Sequence, residues 1–202
     1  METSLKKGLN EMKIDLSLEM QESLFKYLDI LVKWNKVFNL TSVCNKKEMV
    51  SRHLLDCLSI IPWIRGNRIL DAGTGAGLPG IPLAVALPKN FFYLIDSSSK
   101  KTRFLHEVVA ELDLNNVVIV NKRLEAFQDS IGFDVVTCRA FASLFDFTNK
   151  TKHLLSSNGF WLAMKGEVQK SEIDEVKLQK IDKYLLQVPG SKKIRYLYRI
   201  IP

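Results

Sequence analysis

Residues 17–38 place Leu18, Phe25, Leu28 and Val32 at helical spacing, with Glu19 and Glu22 early and Lys33 and Lys36 late, which suits the helix dipole. A second helix is predicted from Asn45, where Asn-Lys-Lys-Glu puts Glu48 at the third position of a capping box, through Leu58. The first 65 residues therefore read as a helical cap. From residue 67 the pattern changes. Short apolar runs at 68–71, 91–96, 117–120, 134–138, 160–164, 184–188 and 194–200 read as strands. Helices fit between them at about 80–87, 99–113, 122–129, 143–155 and 167–181. Nearly continuous apolar strands that alternate with helices predict a parallel sheet covered on both faces. The last two strands are joined only by Pro189 to Lys193, too short for a helical crossover, so they must form an antiparallel hairpin.

Composition narrows the class. With 202 residues, 47% hydrophobic and 25% charged, and a mean hydropathy of zero, the chain has the profile of one soluble domain, 1–202, made of the cap (1–65) and an α/β core (66–202). The longest apolar run, 81–87, is too short to span a bilayer and contains Pro82, and the N-terminus has no apolar leader core. Cys44, Cys57 and Cys138 are odd in number and far apart, which argues against a disulfide framework and a structural metal. A reducing, cytoplasmic setting, no metal, no membrane and a monomer are expected.

The formal charge is +7, an invitation to an anionic partner. Residues 1–65 carry a net +2, residues 66–140 are neutral and residues 141–202 carry +5. After Asp182 the chain has Lys183, Lys192, Lys193, Arg195 and Arg199 and no acid. In an arbitrary protein such a run is more often a solvated surface than a binding site.

The strongest chemical signal is Asp71-Ala72-Gly73-Thr74-Gly75-Ala76-Gly77-Leu78-Pro79-Gly80, directly after the first strand of the alternating region. Glycines there let the backbone turn and approach a ligand beyond the strand ends. From Gly75 the run also fits the dinucleotide fingerprint G-x-G-x-x-G. Three features count against a nicotinamide cofactor. Asp71 would face a pyrophosphate but suits the amine and sulfonium of S-adenosylmethionine. Pro79 and Pro82 delay the helix start that pyrophosphate wants. The chain leaves little room for a separate substrate domain. Asp96 ends the next strand, where an acid takes the ribose hydroxyls of an adenosine cofactor; the alternative is a simple helix cap, which Ser98 or Ser99 would also provide.

Other features are weaker. Lys100, Lys101 and Arg103 open a helix against its dipole, which points either to a ligand or to an exposed end that tolerates the cost. Arg52 and Asp56 share a helix face and are expected to pair, with His53 a bystander. His106 and His153 read as structural. Arg139 and Lys165 follow strands at their carboxyl ends.

Taken together, seven strands with a terminal antiparallel pair resemble the Rossmann-like methyltransferases. Several blocks resemble one family in particular, the small-subunit ribosomal RNA guanine-N7 methyltransferases called RsmG or GidB. They are Trp34-Asn35-Lys36 with Asn39-Leu40-Thr41, Arg52-His53-Leu54-Leu55-Asp56, Asp71 through Leu83, Leu94 to Ser97, Lys100-Lys101 with Phe104-Leu105, Phe133 to Ala140, and Met164-Lys165-Gly166. The resemblance implies a class I methyltransferase that binds S-adenosylmethionine through Asp71, Gly73, Gly75, Gly77, Leu78, Asp96, Ser97, Ser98, Leu124, Glu125 and Arg139. It implies 16S ribosomal RNA, free or within the small subunit, as partner, and makes Arg52, His53, Arg123, Lys165, Lys192, Lys193, Arg195 and Arg199 candidates for its contacts. The family usually has Ala-Glu where this chain has Leu124-Glu125. Guanine N7 has a lone pair and no proton to lose, so no acid or base is assigned. An NAD(P)-dependent oxidoreductase and a non-catalytic RNA-binding module are the alternatives.

Overall fold

The computed structural model describes residues 1–176 and 180–202. The cap begins with α1 (Glu2–Met12), an element the apolar pattern did not single out, and continues with α2 (Leu18–Phe38). The Ser17 hydroxyl caps α2 by accepting from the Met20 amide, and Asn39 ends it in the left-handed region. The second cap helix is composite: α3 (Lys46–Met49), a π-helical stretch (Val50–Leu55) and α4 (Asp56–Leu58). A 3₁₀ turn, Ile61–Trp63, leads into the core.

The core holds β1 (Arg68–Ala72), α5 (Gly80–Ala86), β2 (Phe91–Ile95), α6 (Ser99–Glu111), β3 (Val117–Val120), β4 (Phe133–Arg139), α7 (Leu144–Thr151), β5 (Leu155–Lys165), α8 (Lys170–Asp174), β6 (Lys180–Leu186) and β7 (Arg195–Ile201). The seven strands lie in the order β3-β2-β1-β4-β5-β7-β6. All pairs among β1 to β5 are parallel, and β7 runs antiparallel to both β5 and β6. The expected α/β architecture and terminal hairpin are therefore observed.

Four boundaries differ from expectation. Residues 122–129 give only a 3₁₀ turn at Leu124–Ala126. β5 starts five residues early, because Leu155 already pairs with Phe133, and a register shift at the polar run Ser156–Asn158 precedes the Val135–Phe160 pairing that the apolar pattern marks. β6 lies at 180–186 rather than 184–188; as the edge strand it carries Lys180, Asp182 and Lys183, which mask its alternation. The helix expected over 167–181 is confined to α8 within the described residues, and its segment 177–179 lies outside them.

Alternate residues of each strand feed two apolar clusters, one on each face of the sheet. Ile69, Val135 and Leu162 face the cap side, where Leu24, Leu28 and Leu31 of α2 are fully buried. Leu70, Val136 and Trp161 face the other side with Phe147 of α7. At roughly 1.5–3 kcal/mol for each fully buried Leu-sized side chain, the face of α2 is a substantial anchor. It also reaches the glycine loop, where the buried Tyr27 hydroxyl donates to the Ala76 carbonyl at 2.7 Å.

Candidate cofactor and RNA site

The strand order reverses between β1 and β4, so the connections leaving their carboxyl ends diverge and open a crevice where ligands bind in such sheets. Asp71 ends up in that crevice because β1 alternates: Leu70 and Ala72 pack on the far face, and Asp71 turns toward the cap side, fully buried. Its Oδ2 accepts from the Thr74 hydroxyl at 2.6 Å and the Gly80 amide at 2.8 Å. Its Oδ1 is buried and has no donor. Burial pushes the carboxyl up to about 6, against the lowering effect of the Thr74 and Gly80 bonds and of Arg139. A buried carboxylate oxygen without a donor is the chemistry a cationic ligand group would satisfy.

The glycines divide by role. Gly73 (φ 67°) is left-handed, and a Cβ there would meet only the Phe141 ring, at 3.7 Å. Gly80 is a packing glycine: a Cβ would stand 2.1 Å from Leu94 Cδ2 and 2.8 Å from Asp71 Oδ2. Gly75 shares the open, ligand-facing character of Gly73, whereas Gly77 is enclosed by Ile81 and Leu105. Leu78 is buried in the cap-side core and its amide bonds to the Thr74 carbonyl.

Asp96 organises the other wall. Oδ2 accepts from the Gly75 amide at 3.0 Å and from Lys101 Nζ at 3.1 Å, and Oδ1 accepts from the Ser98 amide at 2.9 Å. The carboxylate thus ties the glycine loop to the start of α6. Lys101, one of three cations set against the α6 dipole, has its compensation in Asp96. Beside them lies a cavity of about 270 Å³ lined by Gly73, Ile95, Asp96, Ser97, Leu124, Glu125 and Phe141, with Lys101, Lys122, Arg123 and Lys150 also contributing. Ile95, Leu124 and Phe141 give it apolar surface suited to a flat ring, and Asp96 gives it an acceptor suited to hydroxyls. Arg123, expected on the RNA side, lines this cavity instead. Asp71, Gly75, Gly77, Leu78, Ser98 and Arg139 are not among the residues lining it.

Arg139 goes elsewhere. Since Asp71 is in register with Thr137, Arg139 stands level with Gly73, and strand alternation turns its side chain to the cap. Nη1 donates to Asp56 Oδ2 at 3.1 Å and to the Arg52 carbonyl at 2.9 Å. Arg195 Nε stands 3.4 Å from Asp56 Oδ1. The expected Arg52–Asp56 pair does not form: Arg52 pairs with Glu48 at 3.3 Å, and Asp56, buried, takes both long-range guanidiniums. Competition across the fold explains this: Arg139 and Arg195 stand on the two oxygens of Asp56, and Arg52 finds Glu48 one turn earlier.

His53 is not a bystander. It is buried, Nδ1 lies 2.9 Å from the Arg52 carbonyl, and Nε2 lies 3.0 Å from the Thr41 hydroxyl. Both contacts fit one neutral tautomer, with Nδ1–H donating and Nε2 accepting. Burial, reinforced by the Arg139 charge, pushes it down to about 4, so it carries no charge for a phosphate. Thr41, Ser42, Arg52, His53, Arg139, Ala140, Lys165, Gly166 and Arg195 enclose a second cavity of about 260 Å³. Ala140 lines this cavity and Phe141 the first, so consecutive residues contribute to the two walls. At that junction Ala140 has φ 62°, a conformation that costs a non-glycine residue on the order of 1 kcal/mol and that clusters at functional sites.

The C-terminal cations are less free than the sequence implied. Lys183 pairs with Glu167 and Arg195 with Asp56, while Lys165 Nζ meets Glu172 and the Ala142 carbonyl. Arg199 lies over the Phe160 ring, at 4.9 Å, four strand residues or about 13 Å along β7 from Arg195 and so away from the crevice. Lys192 and Lys193 are exposed on the hairpin. Sequence reasoning missed Asp56 as the buried hub and Phe141 as a cavity wall; the one available signal for Phe141 was its place two residues beyond a strand-end arginine.

Among solved structures, the fold is similar to magnesium protoporphyrin IX methyltransferase from Synechocystis, solved with bound SAM (TM-score 0.62, 16% identity, 87% of this chain and 97% of that one). It is also similar to a SAM-dependent methyltransferase from Aquifex aeolicus (TM-score 0.58, 18% identity, 74% and 91%). Sequence relatives are nearer. Ribosomal RNA small subunit methyltransferase G of Ectopseudomonas mendocina is 46% identical over 96% of this chain and 92% of its own length. The protein of the same name from Coxiella burnetii is 41% identical over 99% and 98%. The family model described as rRNA small subunit methyltransferase G matches residues 20–197, which take in the crevice, both cavities and the cap helices that close them, so the chain belongs to the rRNA small subunit methyltransferase G family.

Proposed function

We propose that this protein transfers a methyl group from S-adenosylmethionine to N7 of a guanine in 16S ribosomal RNA. The observation that carries the reading is the donor-side crevice, with the unpartnered Asp71 Oδ1 and the open Gly73, in a chain that matches the family from residue 20 to 197. S-adenosylmethionine supplies, when bound, an electrophilic methyl on a sulfonium. The residues present fit it: Asp71 offers charge to a cation, Asp96 offers acceptors to ribose hydroxyls, and Ile95, Leu124 and Phe141 offer an apolar seat to adenine.

The second cavity is the natural seat for the guanine, because consecutive residues, Ala140 and Phe141, contribute to its wall and to that of the first. N7 presents a lone pair, so the protein's work is orientation and electrostatics rather than proton transfer. A neutral His53 suits that work, since a cation against a base gaining positive charge would oppose it. Arg52, Lys165 and Arg195 edge the same cavity and, with Lys192 and Lys193, form the phosphate-binding side. Cap and core act as one unit, since Asp56 and Arg139 lie on opposite sides of their boundary. The protein works as a monomer in the cytoplasm, where three free thiols are at home.

The test is chemical cleavage at N7-methylguanine in 16S RNA from cells with and without the gene. Loss of one cleavage site on deletion, restored by the gene but not by an Asp71→Ala form, is expected. An unchanged pattern overturns the proposal.

A further inference from the structure

Against the β6–β7 hairpin lies a groove of about 590 Å³. Its walls are the end of α1 at Glu11 and Met12, the 3₁₀ turn with Trp63, and the hairpin from Leu185 to Ile194. Trp63 is the aromatic residue of its lining, half-buried with its ring centroid 5.5 Å from that of Tyr184, and it stands with Met12, Val188 and Ile194, the last 64% exposed, among polar residues such as Gln187. Its rim is basic, because Lys192 and Lys193 are exposed and make no ion pair among the described residues. Glu11 is the one acid on the rim, and it faces Lys7 at 3.9 Å.

Two contacts tie this groove to the reaction site. Lys193 and Ile194 line the groove while Arg195 lines the second cavity, so the two are separated by about 7 Å of extended chain, comparable to a single nucleotide step. The hairpin tip also rests on the π-helical stretch, where a Cβ on Gly190 would stand 3.5 Å from Ser51 Cβ, next to Arg52. A strand leaving the second cavity past Arg195 therefore meets Lys193 and Lys192 and then the face of Trp63.

We propose that this groove holds an unpaired nucleotide of the substrate RNA flanking the target guanine, with its base against Trp63 and Ile194 and its phosphates at Lys192 and Lys193. This rests on the function proposed above. The charge of the rim and the aromatic floor favour RNA over a protein partner, since stacking on an aromatic face and phosphate contacts are how single strands are held.

The test uses full-length protein and deproteinised small-subunit ribosomal RNA, with affinity measured across a salt series. Trp63→Leu keeps an apolar side chain and removes the stacking face; it should weaken binding about tenfold with an unchanged salt slope, and Trp63→Phe should recover most of the loss. The double change Lys192→Gln with Lys193→Gln should lower the salt slope by about 1.4. Adenosylhomocysteine affinity should be unchanged in every variant. If Trp63→Leu fails to fold, the hairpin double variant, on an exposed loop, decides alone. Wild-type affinity and slope in the variants overturn the groove while leaving the methyltransferase reading intact. Variants that bind naked RNA normally but fail on assembled subunits assign the groove to a protein and overturn it too. Wild-type protein that neither binds nor methylates ribosomal RNA overturns the functional reading, and the groove with it.

Discussion

Asp71→Asn separates what Asp71 does for the cofactor from what it costs the fold. The carboxyl is fully buried and its pKa rises from 3.8 to about 6, so the folded protein binds that proton more tightly than the unfolded chain does. A raised value means stability is greatest on the acid side: the burden is absent below about pH 4, grows as pH rises, and is complete above about pH 6. At 1.36 kcal/mol per pKa unit it amounts to about 3 kcal/mol at pH 7. Asparagine cannot ionise, and its amide oxygen can keep the bonds from Thr74 and Gly80. Less the roughly 1–3 kcal/mol cost of burying its unpaired NH₂, the variant should be up to about 2 kcal/mol more stable than wild type at pH 7 and less stable than wild type at pH 4. That corresponds to a Tm at pH 7 higher by up to roughly 8 °C for a chain of this size. The same change should weaken S-adenosylmethionine binding at least about tenfold, because the charge that burdens the empty fold is the one the cation meets. Wild-type affinity should itself fall as pH drops through 6. Urea unfolding and calorimetric titration at pH 4 to 8 measure both. A stability difference that does not change with pH, or undiminished cofactor affinity, would refute the reasoning.

Three further outcomes follow from the same geometry. Asp96→Asn removes the charge that holds Lys101 and weakens the Gly75 and Ser98 bonds, and should lower cofactor affinity about ten- to a hundredfold by calorimetry. Asp56→Ala leaves the Arg139 guanidinium, its side chain 16% exposed, without its carboxylate and should destabilise by about 3–5 kcal/mol in urea titration; a loss under 1 kcal/mol would show that the buried pair is dispensable. Gly80→Ala should cost about 1–3 kcal/mol and disturb Asp71, whereas Gly166→Ala, with nothing within 4 Å of the added carbon, should melt like wild type.

Much of this was legible along the chain because it rests on local rules. Apolar period and connection length specify strands, helices and the terminal hairpin, and the run from Asp71 to Gly80 marks the crevice because only glycine-rich backbone turns so tightly after a strand. The charge excess near the C-terminus was legible as a number but not as a pattern of free cations, since Arg195 finds Asp56 and Lys183 finds Glu167 across the fold. The Arg52–Asp56 expectation failed because Arg139 and Arg195, both remote in sequence, take the two oxygens of Asp56.

Most strands and helices, the donor loop and the family blocks follow from the amino-acid order, because each depends on neighbours within a few residues or a few turns. Which buried charges meet depends instead on the packed fold. Asp56 and Arg139 are 83 positions apart, and burial makes each require the other whatever their spacing. That pairing sends Arg139 to the cap and sets a neutral His53 beside it, while the next two residues, Ala140 and Phe141, contribute to the two cavity walls. Desolvation acts on what is near in space, and chain distance carries no record of it.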